Sequence, residues 1–187
     1  ATMKLAQKDI NAAGGVLGKD IEITSADTSD ADHADQNTSS AQSVLAKNPS
    51  VVVGPPSSSV VKNTYKQVTS AKVPMISSGA TSTAFSGLSE YFFRTIPPDT
   101  VQGAVLGQII AQDGVKNLAI AVFNDEYGTS LRDVVVKTVD DAGVNVVYGE
   151  KDTFDPTETR RPPMATALKA TNPDATRNAT AAVRAAM

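Results

Sequence analysis

The chain is expected to adopt an α/β fold with mostly parallel sheets, arranged as two lobes. Three observations lead there. Short β-branched runs alternate with longer segments of helical period, the pattern of parallel strands joined through helices. Each run ends in Gly, Pro or Ser, as strand-to-helix loops do. Two such β/α series meet at Pro97-Pro98, a stiff break that divides the chain into a lobe of residues 1–97 and a lobe of residues 98–187.

The elements follow in order. An amphipathic helix opens the chain, with Leu5, Ala6, Ile10 and Ala13 on its apolar side, and stops at Gly14-Gly15. Residues 21–26 alternate apolar and polar and predict a strand. Residues 30–47 predict a helix with Ala34, Ala41, Val44 and Leu45 inward, ended by Asn48-Pro49. Residues 51–53 form a short strand closed by Gly54-Pro55-Pro56. Residues 57–70 read as a helix carrying Val61, Tyr65 and Val68 on one face. Strands are expected at 74–77 and 91–96, with a Ser/Thr/Gly loop between them. Asp99 is expected to cap a helix whose apolar face is Val101, Val105 and Ile109. A strand at 118–123 precedes a helix at 127–142, with Leu131, Val135 and Val139 inward. Gly143 ends that helix before a strand at 144–148. From about residue 160 the chain turns Ala/Thr/Arg-rich, and an irregular tail is expected.

Composition narrows the function. The 187 residues carry 17 Lys+Arg against 20 Asp+Glu, a net charge of −3, which argues against a protein that tracks nucleic-acid phosphates. There is no cysteine and a single histidine, so thiolate catalysis, Cys-ligated zinc and a His-relayed triad lack material. No apolar run reaches the ~18 residues of a membrane span. These counts favour a binding protein over an enzyme, with no cofactor and no metal. The acidic cluster Asp27, Asp30, Asp32 and Asp35 lacks the glycine and closing Glu of a calcium loop and reads as helix capping. His33 is expected to be exposed. The run from Gly14 to Asp20 only superficially evokes a phosphate-binding loop, being one residue short and having Asp in place of Ser/Thr.

Ligands of parallel α/β sheets sit at the carboxyl ends of strands. The loop Gly54-Pro-Pro-Ser-Ser-Ser59 follows a strand and opens a helix, where free N–H groups and serine hydroxyls suit a carboxylate or phosphate. Helix capping by Ser57 or Ser58 is the plainer account of the same residues. The loop Ile76-Ser-Ser-Gly-Ala-Thr-Ser-Thr83 also follows a strand. Its Gly79 permits close backbone approach and Thr81 adds a hydroxyl, though an ordinary polar turn would read the same. Tyr127, in Asn124-Asp-Glu-Tyr-Gly128, stands at a helix start facing the opposite lobe. It could cover a ligand or simply pack there.

Taken together, six stretches resemble the periplasmic binding proteins of branched-chain amino-acid ABC transporters, the Leu/Ile/Val-binding type. They are Asp9-Ile-Asn-Ala-Ala-Gly-Gly-Val-Leu-Gly-Lys19, Asp27-Thr-Ser-Asp30, Val53-Gly-Pro-Pro-Ser-Ser-Ser59, Val73-Pro-Met-Ile-Ser-Ser-Gly-Ala-Thr81, Tyr91-Phe-Phe-Arg-Thr95 and Asn124-Asp-Glu-Tyr-Gly128. They stand in family order over roughly residues 3–155. The resemblance implies a type I periplasmic-binding fold of two Rossmann-like lobes closing on a small ligand. It implies that Ser58, Ala80 and Thr81 hold the ligand's carboxylate and amino group, with Gly79 contributing backbone and Tyr127 closing from the second lobe. It further implies an extracytoplasmic or lipid-anchored protein partnered by a membrane permease, with an amino acid or related carboxylate as solute. A ligand-sensing domain, or a binder of aromatic acids or amides, is the alternative.

Against the family pattern, the chain is expected to be a processed or truncated piece. The family's first strand would precede Ala1, and Asp155-Pro-Thr-Glu-Thr159 and Leu168-Lys-Ala-Thr-Asn-Pro-Asp-Ala175 still resemble it. The following Thr-Arg-Asn-Ala-Thr180 replaces an apolar strand and is not expected to form one. Exposed sheet edges would then favour self-association, or disorder beyond about residue 155.

Overall fold

The computed structural model describes residues 2–155, 166, 169–171 and 173–178. Its elements run α1 (Thr2–Ala12), α2 (Ala34–Leu45), β1 (Val52–Val53), α3 (Ser58–Ser70), β2 (Met75–Ser77), β3 (Phe92–Arg94), α4 (Asp99–Gln112), β4 (Asn117–Ala121), α5 (Glu126–Asp141), β5 (Asn145–Tyr148) and β6 (Ala175–Asn178). A single 3-10 turn, Thr83–Phe85, follows β2. Two three-stranded parallel sheets form, ordered β1-β2-β3 and β5-β4-β6. This is the expected α/β class.

Each sheet has its own core. Val61 and Val68 of α3 pack with Met75, Ala80, Phe85 and Phe92 against the first sheet. Leu131, Val135 and Val139 of α5 pack with Ile110, Leu118, Ile120, Val122 and Val144 on the second. The inward faces expected for α3 and α5 are the ones observed.

Several expectations are corrected. Residues 21–26 form no strand. At Ile21, side chains of α1 take the backbone groups instead: Asn11 Oδ1 accepts from Ile21 N–H at 2.9 Å, and Gln7 Nε2 donates to Ile21 O at 2.9 Å. No described strand runs alongside to supply a ladder. The α1 side chains Met3, Leu5 and Ile10 are exposed, so its apolar face has no cover among the described residues. On α4 the buried face is Gly103, Gly107 and Ile110, while Val101, Val105 and Ile109 point outward. Asp99 is not a cap: Pro98 holds the N-cap position without a side-chain bond, and Asp99 is the buried first residue of α4. Finally, residues 175–178 do form a strand, β6, parallel to β4 with Leu118 opposite Ala175. A ladder needs only backbone, and Asp174 sets its register. The Asp174 carboxylate accepts from the N–H groups of Lys116 and Asn117 at 3.0 and 2.9 Å. Those bonds hold its pKa below the usual carboxylate value. Of the irregular tail expected from about residue 160, residues 160–165, 167–168, 172 and 179–187 lie outside the described residues.

The acidic cluster shapes turns. Asp27 accepts from Ser29 N–H, and Asp30 accepts from Asp32 N–H and pairs with exposed His33 at 2.6 Å. Helix α2 consequently starts at Ala34 rather than at Asp30.

The glycines of α4 explain its inverted face. A Cβ on Gly103 would stand 2.7 Å from Val134 Cβ, and one on Gly107 would stand 2.6 Å from Thr138 Cβ. Backbone of α4 therefore lies directly on α5, which only glycine permits. Gly107→Ala is expected to cost about 1–3 kcal/mol through overpacking. A urea unfolding midpoint unchanged by the substitution would contradict so close a contact.

Candidate functional site

The carboxyl ends of β1 and β2 lead into two loops that pack on each other. Ser77, at the end of β2, is the tie. Its Oγ donates to Pro55 O at 2.6 Å and accepts from Ala80 N–H at 3.1 Å. Gly79 makes the approach possible, since a Cβ there would stand 2.8 Å from Pro56 O. The freedom expected to admit a ligand is thus used first to admit the neighbouring loop.

Ser57, not Ser58, caps α3, its Oγ accepting from Val60 N–H at 3.5 Å. This frees the buried Ser58, whose Oγ accepts from Ser82 N–H at 3.3 Å. Ser58, Ala80 and Thr81 are all buried, and the loop bond at Ser82 draws them into one neighbourhood. Tyr127 belongs to the other half. It is half-buried against the second core, and its hydroxyl accepts from Gln102 Nε2 at 3.0 Å. Burial pushes its pKa up, against the bond from Gln102.

Three residues that sequence reasoning did not single out complete the arrangement. Arg94, at the end of β3, donates through Nη1 to Ser82 O at 2.8 Å and Ala80 O at 3.3 Å, and through Nη2 to Ser86 Oγ at 2.5 Å. Asp99 donates its backbone N–H to Thr81 O at 2.8 Å. Its side chain is fully buried, and neither its carboxylate oxygens nor Thr81 Oγ1 make a hydrogen bond of good geometry, although the Ser130 and Thr81 hydroxyls stand close enough to act on the carboxylate's charge. Burial pushes the Asp99 pKa up. The nearby hydroxyls of Ser130 and Thr81, and then the charge of Arg94, oppose the rise, while Glu126 adds to it. A buried carboxylate met only loosely by hydroxyls keeps acceptor capacity for a cationic donor such as an ammonium. Arg94 is the last residue of β3 and Asp99 opens α4 after the loop that follows; nearness to a strand's carboxyl end is the signal that could have marked them.

The third is Glu126, the first residue of α5. Asp125 caps that helix by accepting from Gly128 N–H at 2.6 Å, and burial pushes the Asp125 pKa up. Glu126 reaches the first half: its Oε1 accepts from Ser82 Oγ at 2.7 Å, and its N–H donates to Ser59 Oγ at 3.1 Å. Beside these contacts lies a polar cleft of about 310 Å³, bordered by Asp32, Ser59, Lys62, Asn63, Asp125 and Glu126. None of Ser58, Gly79, Ala80, Thr81 or Tyr127 borders it.

Residues 1–179 match the family described as the receptor family ligand binding region. The chain is 35% identical over 149 residues to a leucine-, isoleucine-, valine-, threonine- and alanine-binding protein of Pseudomonas aeruginosa, covering 78% of this chain and 39% of the relative. It is 33% identical over 154 residues to a Leu/Ile/Val-binding protein homologue of Brucella abortus, covering 78% of this chain and 41% of that one. The chain therefore spans less than half the length of these relatives. Among solved structures, a branched-chain amino acid transporter substrate-binding protein of Streptococcus pneumoniae in complex with isoleucine superimposes with TM-score 0.78 at 26% identity. That match covers 94% of this chain and 49% of the other.

Proposed function

Because the chain belongs to the receptor-family ligand-binding regions, with the type I periplasmic-binding fold, we propose that it forms part of an extracytoplasmic solute-binding protein. Its solute is a small zwitterionic amino acid, which it captures for an ABC importer without covalent chemistry. The observation that carries this reading is the fully buried Asp99 carboxylate beside the Thr81 hydroxyl, neither of them in a well-formed hydrogen bond. An ammonium group would satisfy both. The ligand's carboxylate would then meet the Ser58 hydroxyl and backbone N–H groups of the 79–81 loop, with Tyr127 covering the apolar part. The names of the relatives, a leucine-, isoleucine-, valine-, threonine- and alanine-binding protein and a Leu/Ile/Val-binding protein homologue, support an amino-acid solute with a small aliphatic side chain. In this reading residues 1–97 and 98–187 belong to separate lobes, and Pro97-Pro98 is the hinge.

The test is a thermal-shift titration of the protein with L-leucine, L-isoleucine, L-valine and 4-hydroxybenzoate, since a ligand of the folded state raises the melting temperature. A rise with the amino acids and none with the aromatic acid is expected. A rise with 4-hydroxybenzoate alone would refute the zwitterion reading. Thr81→Ala is expected to weaken amino-acid binding by about 1–3 kcal/mol through a lost hydrogen bond to a charged group. An unchanged dissociation constant would remove Thr81 from the site.

A further inference from the structure

Helix α5 presents a second polar side chain to the loop that carries Thr81. Ser130 stands one turn beyond Glu126, and its Oγ accepts from Thr83 N–H at 3.0 Å. Slightly earlier on the same loop, Thr81 O accepts from Asp99 N–H at 2.8 Å. These two bonds bring the Ser130 hydroxyl of α5 and the Asp99 carboxylate of α4 to one short stretch of backbone. A serine hydroxyl has a single proton to give. With Thr83 N–H on one of its lone pairs, that proton can go to Thr83 Oγ1 or to Asp99. Thr83 Oγ1 lies at 3.5 Å, the outer limit of a hydrogen bond. The carboxylate is charged and is the stronger acceptor. The hydroxyl acts on that charge, favouring the ionised form against burial.

We propose that Ser130 is a positioning residue: its hydroxyl steadies the Asp99 carboxylate beside Thr81 for the ammonium group of the solute. The ammonium in that statement rests on the amino-acid reading above. The other groups that face Asp99 are already engaged. Arg94, at the end of β3, attracts the carboxylate, but its guanidinium serves Ala80 O, Ser82 O and Ser86 Oγ. Glu126 of α5 repels it and is itself held by Lys62 of α3 and by Ser82 Oγ. The Tyr127 hydroxyl, also near the Asp99 charge, accepts from Gln102. Ser130 and Thr81 remain as the neutral donors, one on α5 and one on the loop, so the carboxylate is met from two different elements. A serine that only tied α5 to the loop would act through Thr83 alone. Its loss would then change stability without touching the carboxylate.

The test reads Asp99 directly. In protein carrying isotope-labelled aspartate and no added ligand, the Asp99 carboxyl resonance is identified by its loss in Asp99→Asn and followed against pH. Ser130→Ala is expected to move its titration midpoint to higher pH, since the lost hydroxyl favoured the ionised form. Ser130→Thr, which keeps a hydroxyl, is expected to restore it. Thr83→Val removes only the rival oxygen and should not raise the midpoint. In L-leucine binding, the arm that rests on the amino-acid reading, Ser130→Ala should weaken affinity about three- to tenfold, the scale of one hydrogen bond. It should also move the acid limb of binding to higher pH by as much as the resonance moves. A midpoint that Ser130→Ala leaves unchanged overturns the assignment. So does one that Thr83→Val raises equally, because loop packing and not the hydroxyl would then be at work. A shifted midpoint with unaltered leucine affinity and acid limb overturns the positioning role. A shifted midpoint with no leucine binding in either protein supports the hold of Ser130 on Asp99 and refutes the amino-acid reading alone.

Discussion

Asp99→Asn is expected to move ligand affinity and ligand-free stability in opposite directions. Binding of L-leucine should weaken by roughly ten- to a hundredfold, the range for removing the charged partner of a sheltered ammonium. Without ligand the same substitution should raise the unfolding midpoint, because a fully buried carboxylate whose desolvation outweighs the help of the Ser130 and Thr81 hydroxyls is a burden on the fold. The pH dependence follows from the direction of the shift. The folded-state pKa of Asp99 lies above the ordinary carboxylate value of 3.8. The folded state therefore holds the proton more tightly than the unfolded chain, and stability falls as pH rises from that value through the raised one. Asp125 is shifted the same way by burial, so in the asparagine variant the slope should shrink and not vanish. Ligand binding runs the other way: acidification through the raised pKa neutralises the carboxylate and weakens capture. Urea unfolding and calorimetric titration across this range check both signs. Equal losses of affinity and stability would assign Asp99 to the scaffold.

Arg94→Ala is expected to destabilise the protein by about 2–4 kcal/mol, since a charged donor is removed and carbonyls in a packed loop lose their partner. Arg94 Nη1 serves Ala80 O and Ser82 O, and Nη2 serves Ser86 Oγ. Those contacts hold the loop from Ser77 to Ser86 against the end of β3, and with it Thr81. Arg94→Lys should recover only part of the loss, because an ammonium cannot reach two carbonyls and a hydroxyl from one planar fork. A second consequence is electrostatic. The Arg94 charge lowers the Asp99 pKa, so its removal should shift the acid limb of ligand binding to higher pH. Unfolding midpoints at constant m-value measure the first effect. An alanine variant as stable as the parent would show that the loop is held by its own bonds to Ser77.

Much of the architecture was legible from residue pattern. The β-branched runs at Val52-Val53 and residues 75–77 lie where their closing Pro, Gly and Ser residues placed them. The four-residue steps of Leu131, Val135 and Val139 chose the buried face of α5 correctly. On α4 the same reasoning chose the wrong face. Val101, Val105 and Ile109 are the more apolar side, but Gly103 and Gly107 let α5 come closer than any side chain would allow. Periodicity reports which face is oily, and close packing can prefer the face that is small. Around the site, Ser58, Gly79, Ala80 and Thr81 stood out because they sit in loops after strands. Asp99 did not stand out, because an Asp after Pro-Pro at a helix start ordinarily caps it.

By itself the sequence determined the alternation of strand and helix, the separation into two β/α series and the loops in which hydroxyls and glycine gather. All of these are local, set by φ/ψ preference and by spacing along the chain. The tertiary structure alone decided which groups have partners. It closed Gly79 against Pro56 and tied Ser82 to both Ser58 and Glu126. It gave Ile21 the side chains of α1 in place of a strand neighbour, and gave residues 175–178 the β4 edge. It left the Asp99 carboxylate and Thr81 Oγ1 buried with no well-formed hydrogen bond. Whether a polar group is satisfied depends on what the fold brings within about 3 Å of it, and distances of that kind are not written in the order of the residues.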